Sequence, residues 1–125
     1  MTKSMQGLLR LEDLGAFLLS IFLFNQLDFA WWVYPSLLLL PDLSMLGYLY
    51  NAKVGAYVYN FFHHQLLGML CWMLGMWLEA PELALAGLIL FGHAAMDRLF
   101  GYGLKYNDSF HNTHLGWIGK KAADR

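Results

Sequence analysis

The sequence is poor in charged residues and contains a single cysteine. Charged residues make up 14% of its 125 residues, against roughly 25% in ordinary soluble domains. Cys71 has no second cysteine to pair with, so an internal disulfide is excluded. The formal net charge of −1 argues against nucleic acid as a partner, because proteins that bind nucleic acid usually carry a strong positive excess.

Apolar residues are in excess instead. They make up 58% of the chain, against roughly 45–50% in soluble domains even when glycine is counted. A chain of this length cannot bury such an excess inside itself, so we expect much of it to face a lipid bilayer. No small-residue cleavage site follows the first apolar stretch, which predicts that this stretch is retained rather than removed as a signal peptide.

The apolar residues fall into four stretches close to the roughly 20 residues that cross a bilayer as a helix. We therefore predict an all-α fold, an integral membrane bundle of four transmembrane helices in one domain, residues 1–125. The predicted spans are about 11–28, 30–50, 54–78 and 82–100, with a polar tail at 101–125. Pro41 should kink or break the second helix, and Gly68 and Gly75 should let another helix approach the third closely.

Lysine and arginine predict the orientation of this bundle. With four spans, all eight lysines and arginines fall on the side that holds both termini. The connections on the other side carry Asp28, Glu79 and Glu82 and no cation. Because cytoplasmic loops are enriched in lysine and arginine, both termini are predicted to be cytoplasmic.

Polar residues from different spans are predicted to reach one layer of the membrane. Counted at about 1.5 Å per helical residue, Asp42, His63, His93 and Asp97 all lie in the cytoplasmic half, whereas the outer half holds almost nothing polar. His93 and Asp97 are four residues apart and share a helix face. Two histidines with one or two carboxylates can bind zinc or a similar divalent metal, which can activate water for hydrolysis.

The sequence leaves three functions open and does not decide whether the chain is an enzyme. The first is a metal-dependent membrane hydrolase for a lipid-linked or amphipathic substrate. Its ligands and catalytic residues would be Asp42, His63, His93 and Asp97, with His114 or Glu12 as a further ligand or general base. Arg98 and Lys105 would bind an anionic headgroup, since both side chains pair with phosphate.

The second hypothesis is a membrane scaffold in which the same polar groups only lock the helices together, as interhelical hydrogen bonds do in membrane bundles. The third is a bundle that conducts protons or ions, which the nearly apolar outer half argues against. A second copy of the chain or another membrane protein stays open as a partner. Glu12 at the start of the first span, Asn60 beside the histidines and Thr113 in the tail are expected to have structural or orienting roles.

Five motifs in order along nearly the whole chain resemble a family of small bacterial integral membrane proteins, domain of unknown function family 4260. They are Leu9-Arg10-Leu11-Glu12, Pro41 to Tyr48, Tyr59-Asn60-x-x-His63, His93-x-x-x-Asp97-Arg98-x-x-Gly101 to Tyr106, and Phe110-x-x-Thr113-His114-Leu115-Gly116. The resemblance implies a compact helical protein of the bacterial inner membrane. It favours Glu12, Asp42, Asn60, His63, His93, Asp97, Arg98, Lys105, Thr113 and His114, and does not extend to His64 or His111.

Overall fold

The computed structural model describes residues 2–107 and 111–118, and this part of the chain is mostly helical. Its elements are α1 (Lys3–Asn25), α2 (Val33–Leu37), a 3₁₀ helix (Leu40–Leu49), α3 (Ala52–His63), α4 (Gln65–Trp77), α5 (Pro81–Leu99), β1 (Asn112–Thr113) and β2 (Gly116–Trp117). The two short strands pair antiparallel. The all-α prediction is thus confirmed, with one small hairpin added.

The second predicted span, 30–50, is not one helix. Proline has no backbone N–H and disfavours helical geometry in the residue before it. The α-helix accordingly ends at Leu37, and the chain continues from Leu40 as a 3₁₀ helix with Pro41 in its first turn. The break predicted at Pro41 is confirmed, and it places Asp42 at the start of a new helix.

The third predicted span, 54–78, is also wrong as a single helix. His64 has extended backbone angles, φ −85° and ψ 126°, which end α3. Its side chain then accepts a hydrogen bond from the backbone N–H of Leu66 and caps the start of α4. The interruption leaves His63 as the last residue of α3, where it turns into the core with 3% of its surface exposed.

The first helix begins earlier than predicted. Thr2 caps it by accepting a hydrogen bond from the N–H of Met5, so α1 starts at Lys3 rather than near residue 11. Glu12 consequently lies in the middle of α1, exposed, and not in a first turn. The neighbouring acid, Asp13, is the one that turns partly inward and accepts a hydrogen bond from Gln65.

No helix in residues 2–107 or 111–118 combines the length and the apolar character needed to cross a bilayer, so the four predicted transmembrane helices are not supported. The interruptions at Pro41 and His64 leave helices of 5, 12 and 13 residues where spans of about 20 were predicted. The orientation with both termini cytoplasmic assumed four spans, and it stays a prediction.

Helix α5 is the centre of the fold, with α4 packed on one side and α1 on the other, while α3 packs against the 3₁₀ helix. A Cβ atom at Gly68 would lie 2.5 Å from the backbone N of Phe91 and 2.8 Å from the carbonyl oxygen of Gly87. At Gly75 it would overlap Ala84. The predicted close helix contact at both glycines is confirmed, and α5 is the partner. This contact fixes the position of α5, which carries His93 and Asp97.

The described part of the polar tail folds back onto the bundle. Lys105 and Thr113 form a β-bridge, and they are 4% and 3% exposed. Of the predicted tail 101–125, residues 108–110 and 119–125 lie outside the described residues, and with them Phe110 of the last motif.

Candidate metal centre

The structure brings four predicted ligands together from three elements. Asp42 lies in the first turn of the 3₁₀ helix, His63 ends α3, and His93 and Asp97 are one turn apart on α5. One potential ligand atom from each residue lies within 4.8 Å of the others. The histidines are buried, at 3% and 0% exposure, whereas the side chain of Asp42 is 37% exposed. The centre is therefore closed on the histidine side and open at Asp42.

The distances between these atoms suit a shared metal ion. The two Nε2 atoms of His63 and His93 are 3.0 Å apart. Asp42 Oδ1 lies 3.0 Å from the Nε2 of His93 and 3.3 Å from that of His63. Asp97 Oδ2 lies 3.2 and 3.4 Å from the same two nitrogens. Ligands placed tetrahedrally at about 2.1 Å from zinc are separated by about 3.4 Å, so these spacings fit such an ion with small adjustments.

Backbone carbonyls orient both imidazoles toward the centre. His93 Nδ1 donates to the carbonyl oxygen of Leu38 at 2.7 Å, and His63 Nδ1 donates to that of Tyr59 at 2.9 Å. Because a carbonyl oxygen only accepts, each Nδ1 carries the proton, and each neutral ring presents the lone pair of Nε2. A histidine that ligates metal is usually held in this way through its other nitrogen. Without a metal ion, a proton on the Nε2 of His93 would have to serve as the donor to Asp42 or Asp97, which lie 3.0 and 3.2 Å away.

The two histidines differ in their preference for a proton. Burial lowers the pKa of His63, and the neighbouring His93 lowers it further. Burial also disfavours charge on His93, but the hydrogen bond and negative charge of Asp97, together with Asp42, outweigh burial and raise its pKa. His93 therefore holds a proton more readily than His63, and a metal ion bound here would have to displace that proton.

Three further side chains support the ligands. The ring of Tyr59 stacks on His63 with centroids 3.7 Å apart, and its hydroxyl donates to Asp97 Oδ2 at 3.3 Å. Ser44 Oγ lies 3.3 Å from His63 Nδ1, and Arg98 donates to the carbonyl oxygen of His63 at 3.2 Å. Tyr59 and Ser44 were not predicted as site residues. For Tyr59 the sequence does contain a signal, because it lies four positions before His63 on the same helix.

A cavity of about 410 Å³ opens beside the centre, lined by Asp42, Asp97, Tyr59, Tyr102 and Lys105, with Met45 and Ile118. The ammonium of Lys105 lies 4.4 Å from the centroid of the Tyr59 ring. Burial lowers the pKa of Lys105 to about 8. The cavity lining thus contains one basic group and two carboxylates.

Asn60 and Thr113 orient the tail rather than the histidines. The Asn60 amide donates to the carbonyl oxygen of Lys105 at 2.7 Å and accepts from its N–H at 2.6 Å, which fixes the backbone of Lys105 against α3. Thr113 Oγ1 donates to the carbonyl oxygen of Gly116 at 2.6 Å and closes the hairpin turn. Both residues therefore hold Lys105 at the cavity.

The structure does not bring His114 and Glu12 into the cluster. His114 Nδ1 accepts from the N–H of Leu104 at 2.8 Å, and its side chain lines a second cavity together with Arg98. Glu12 is exposed on α1. Arg98 and Lys105, predicted to bind one anion together, line different cavities. Arg98 follows Asp97 directly, and one residue turns a helix by about 100°, so its side chain leaves α5 in another direction.

Comparison with known proteins identifies a family and no activity. The family model of a domain of unknown function (DUF4260) matches residues 6–118, a range that contains all four clustered residues. No curated protein and no solved structure matches the chain. Since the match covers most of the sequence, the chain belongs to the family of domains of unknown function called DUF4260.

Proposed function

We propose that the protein is a metal-dependent hydrolase whose divalent ion, zinc or a similar metal, is held by Asp42, His63, His93 and Asp97. The observation that carries this proposal is the convergence of four lone-pair atoms, two of them on imidazoles that backbone carbonyls orient. A bound ion would supply Lewis-acid catalysis there. Tyr59 would orient Asp97 through its hydroxyl, and the partly exposed Asp42 would lie at the entrance for substrate.

The surroundings of the centre support an amphipathic substrate with an ester or phosphoester bond. Lys105 would bind the anionic part in the cavity of about 410 Å³. An apolar cavity of about 550 Å³ shares the chain segment around Asp42, since Pro41 and Ser44 lie in its wall, and it suits an apolar chain. Hydrolysis consumes one water and one ester bond. The water oxygen ends in the acid product, and the alcohol leaves with one of the water protons.

The test is hydrolysis of chromogenic carboxylic ester and phosphodiester probes by protein loaded with zinc, manganese or cobalt. We expect turnover with at least one metal, and a decrease of roughly a hundredfold or more in Asp42→Asn, because the substitution removes a charged ligand at the open side. The exposed Asp28→Asn serves as the charge-matched control. Equal rates in both variants, or no turnover with any metal, would refute the hydrolase.

A structural role for the cluster is the second candidate. His93 is bonded to the carbonyl oxygen of Leu38 and Arg98 to that of His63, so the same side chains join α5 to α3 and to the residue that follows α2. Such bonds lock helices whether or not a metal is bound. A structural role and a metal centre predict different effects of a chelator on the stability of the protein.

We also propose that the apolar exterior contacts lipid at the bacterial inner membrane. Side chains on one stretch of α4 are large, apolar and exposed, including Leu66, Leu70, Met73, Leu74 and Trp77 at 44–81%. Soluble proteins rarely expose apolar patches of this extent without a partner. In a flotation assay we expect the protein to rise with phosphatidylcholine vesicles and to stay with them at high salt. Protein that remains at the bottom of the gradient would contradict lipid contact.

A further inference from the structure

A second polar cavity is lined by Arg98 and by none of the four residues of the metal centre, and nothing in the proposed hydrolysis uses it. We call it the arginine pocket. It has a volume of about 320 Å³, within the range of small-ligand sites, and its polar lining consists of Gln6, Arg10, Asp13, Arg98 and His114. Helix α1, helix α5 and the returning tail all contribute to it. The pocket therefore exists only when the tail is folded onto the bundle.

Three nitrogen donors point to an anion in this pocket. The guanidinium of Arg10 lies at the turn that follows α5, with Nη2 3.3 Å from the position that a Cβ of Gly101 would take. Arg98 makes one hydrogen bond within residues 2–107 and 111–118, to the carbonyl oxygen of His63, out of the five N–H groups of a guanidinium. His114 accepts at Nδ1 from Leu104, so its neutral ring carries the proton on Nε2 as a donor.

The charges in the pocket are not balanced from within. Ion pairs among the described residues do not include either arginine. Asp13 is the one carboxylate in the lining, and it accepts a hydrogen bond from Gln65. Two guanidinium charges against one carboxylate leave an excess of one positive charge with His114 neutral. A bound anion would neutralise this excess. The planar guanidinium of arginine can donate two parallel hydrogen bonds to the oxygens of a phosphate.

We propose that the arginine pocket binds a phosphate group through Arg10, Arg98 and His114. The group belongs either to a soluble phosphorylated compound or to a lipid headgroup, and the chemistry of recognition is the same for both. This site goes beyond the proposed hydrolase and does not depend on a metal. Arg98 also donates to the carbonyl oxygen of His63. An anion bound to Arg98 would therefore help to fix the position of His63.

The test is calorimetric titration of the protein with inorganic phosphate, in parallel with pelleting by phosphatidylcholine vesicles with and without phosphatidic acid. We expect Arg10→Gln to weaken phosphate binding by about tenfold or more, the loss of one charge-assisted contact. Arg10→Lys keeps the positive charge but loses the planar guanidinium. Its affinity for phosphate should lie between those of the wild type and Arg10→Gln. Lys53→Gln removes an exposed charge on α3 outside the pocket and should bind like wild type. Circular dichroism confirms the fold of each variant.

The two arms separate the sources of the phosphate. Binding of free phosphate that depends on Arg10, without preference for phosphatidic acid, indicates a soluble compound. Preference for phosphatidic acid that depends on Arg10 indicates a lipid headgroup. The proposal is overturned if neither probe shows dependence on Arg10, or if Arg10→Gln and Lys53→Gln behave alike. It is equally overturned if chelation or Asp42→Asn abolishes phosphate binding while Arg10→Gln does not, because the anion would then lie at the metal centre.

Discussion

Replacing His93 by alanine is expected to reduce the metal content of the purified protein from about one ion per chain to nearly none. His93 would contribute one of the four ligands of the proposed centre, and the loss of even a supporting residue around a metal lowers metal affinity by about 10–100-fold. His93 is fully buried and held by the Leu38 carbonyl, so its replacement should lower the metal affinity by more than this. The measurement is elemental analysis of wild type and His93→Ala after incubation with zinc and desalting.

The matched control is the histidine next to His63 in sequence. His64 is exposed and caps α4, and asparagine at this position keeps a capping acceptor. His64→Asn should therefore retain the full metal content. Metal-free wild type, or an unchanged metal content in a folded His93→Ala, would remove the basis of the proposed centre.

Removal of the metal is expected to destabilise the wild type and to leave Asp97→Asn unaffected. A ligand that binds only the folded state adds about 4 kcal/mol to the free energy of unfolding at a thousandfold excess over its Kd. Asparagine keeps an acceptor for the Tyr59 hydroxyl but loses the negative charge, so most of the metal affinity should be lost while the packing persists. Denaturant unfolding with added zinc or with a chelator measures the difference for each protein.

The same experiment separates the metal centre from a purely structural cluster. If the polar groups only lock the helices, a chelator has no effect on the wild type. Asp97→Asn then lowers the free energy of unfolding by about 1–3 kcal/mol under both conditions, as expected for a disturbed buried hydrogen-bonded group. A metal centre gives the opposite pattern, in which the difference between the two proteins appears with zinc and shrinks when the chelator is present.

The helical class and two local features followed from the sequence alone, because they depend on covalent geometry or on composition. Pro41 cannot donate a helical hydrogen bond and its ring clashes with the preceding turn of an α-helix, and α2 ends before it, at Leu37. Gly68 and Gly75 offer the close approach that only a residue without a side chain permits, and α5 uses both. Apolar composition also predicted four long helices. This prediction was wrong for the third span, because composition does not reveal the single extended residue, His64, that separates α3 from α4.

The identity of the four clustered residues was predictable from the sequence, and the orientation of their side chains was not. Helical spacing places Asp97 beside His93, and residue type makes both candidates for a ligand. The orientation of the imidazoles depends on carbonyls that chain folding brings near, since Leu38 is 55 positions from His93 in sequence. His114 and Arg98 show the opposite case. Both have suitable chemistry, yet the direction in which Arg98 leaves α5 and the path of the tail place them in another cavity.

The sequence by itself determined which residue types were available and which segments could be helical, because these depend on local geometry and on side-chain chemistry. Only the tertiary structure decided which of these groups share a site. The contacts of α3, α5 and the 3₁₀ helix bring two histidines and two aspartates together. The bond of Asn60 to the backbone of Lys105 returns the tail to the bundle. Such long-range contacts depend on how whole helices pack, which no short stretch of sequence encodes.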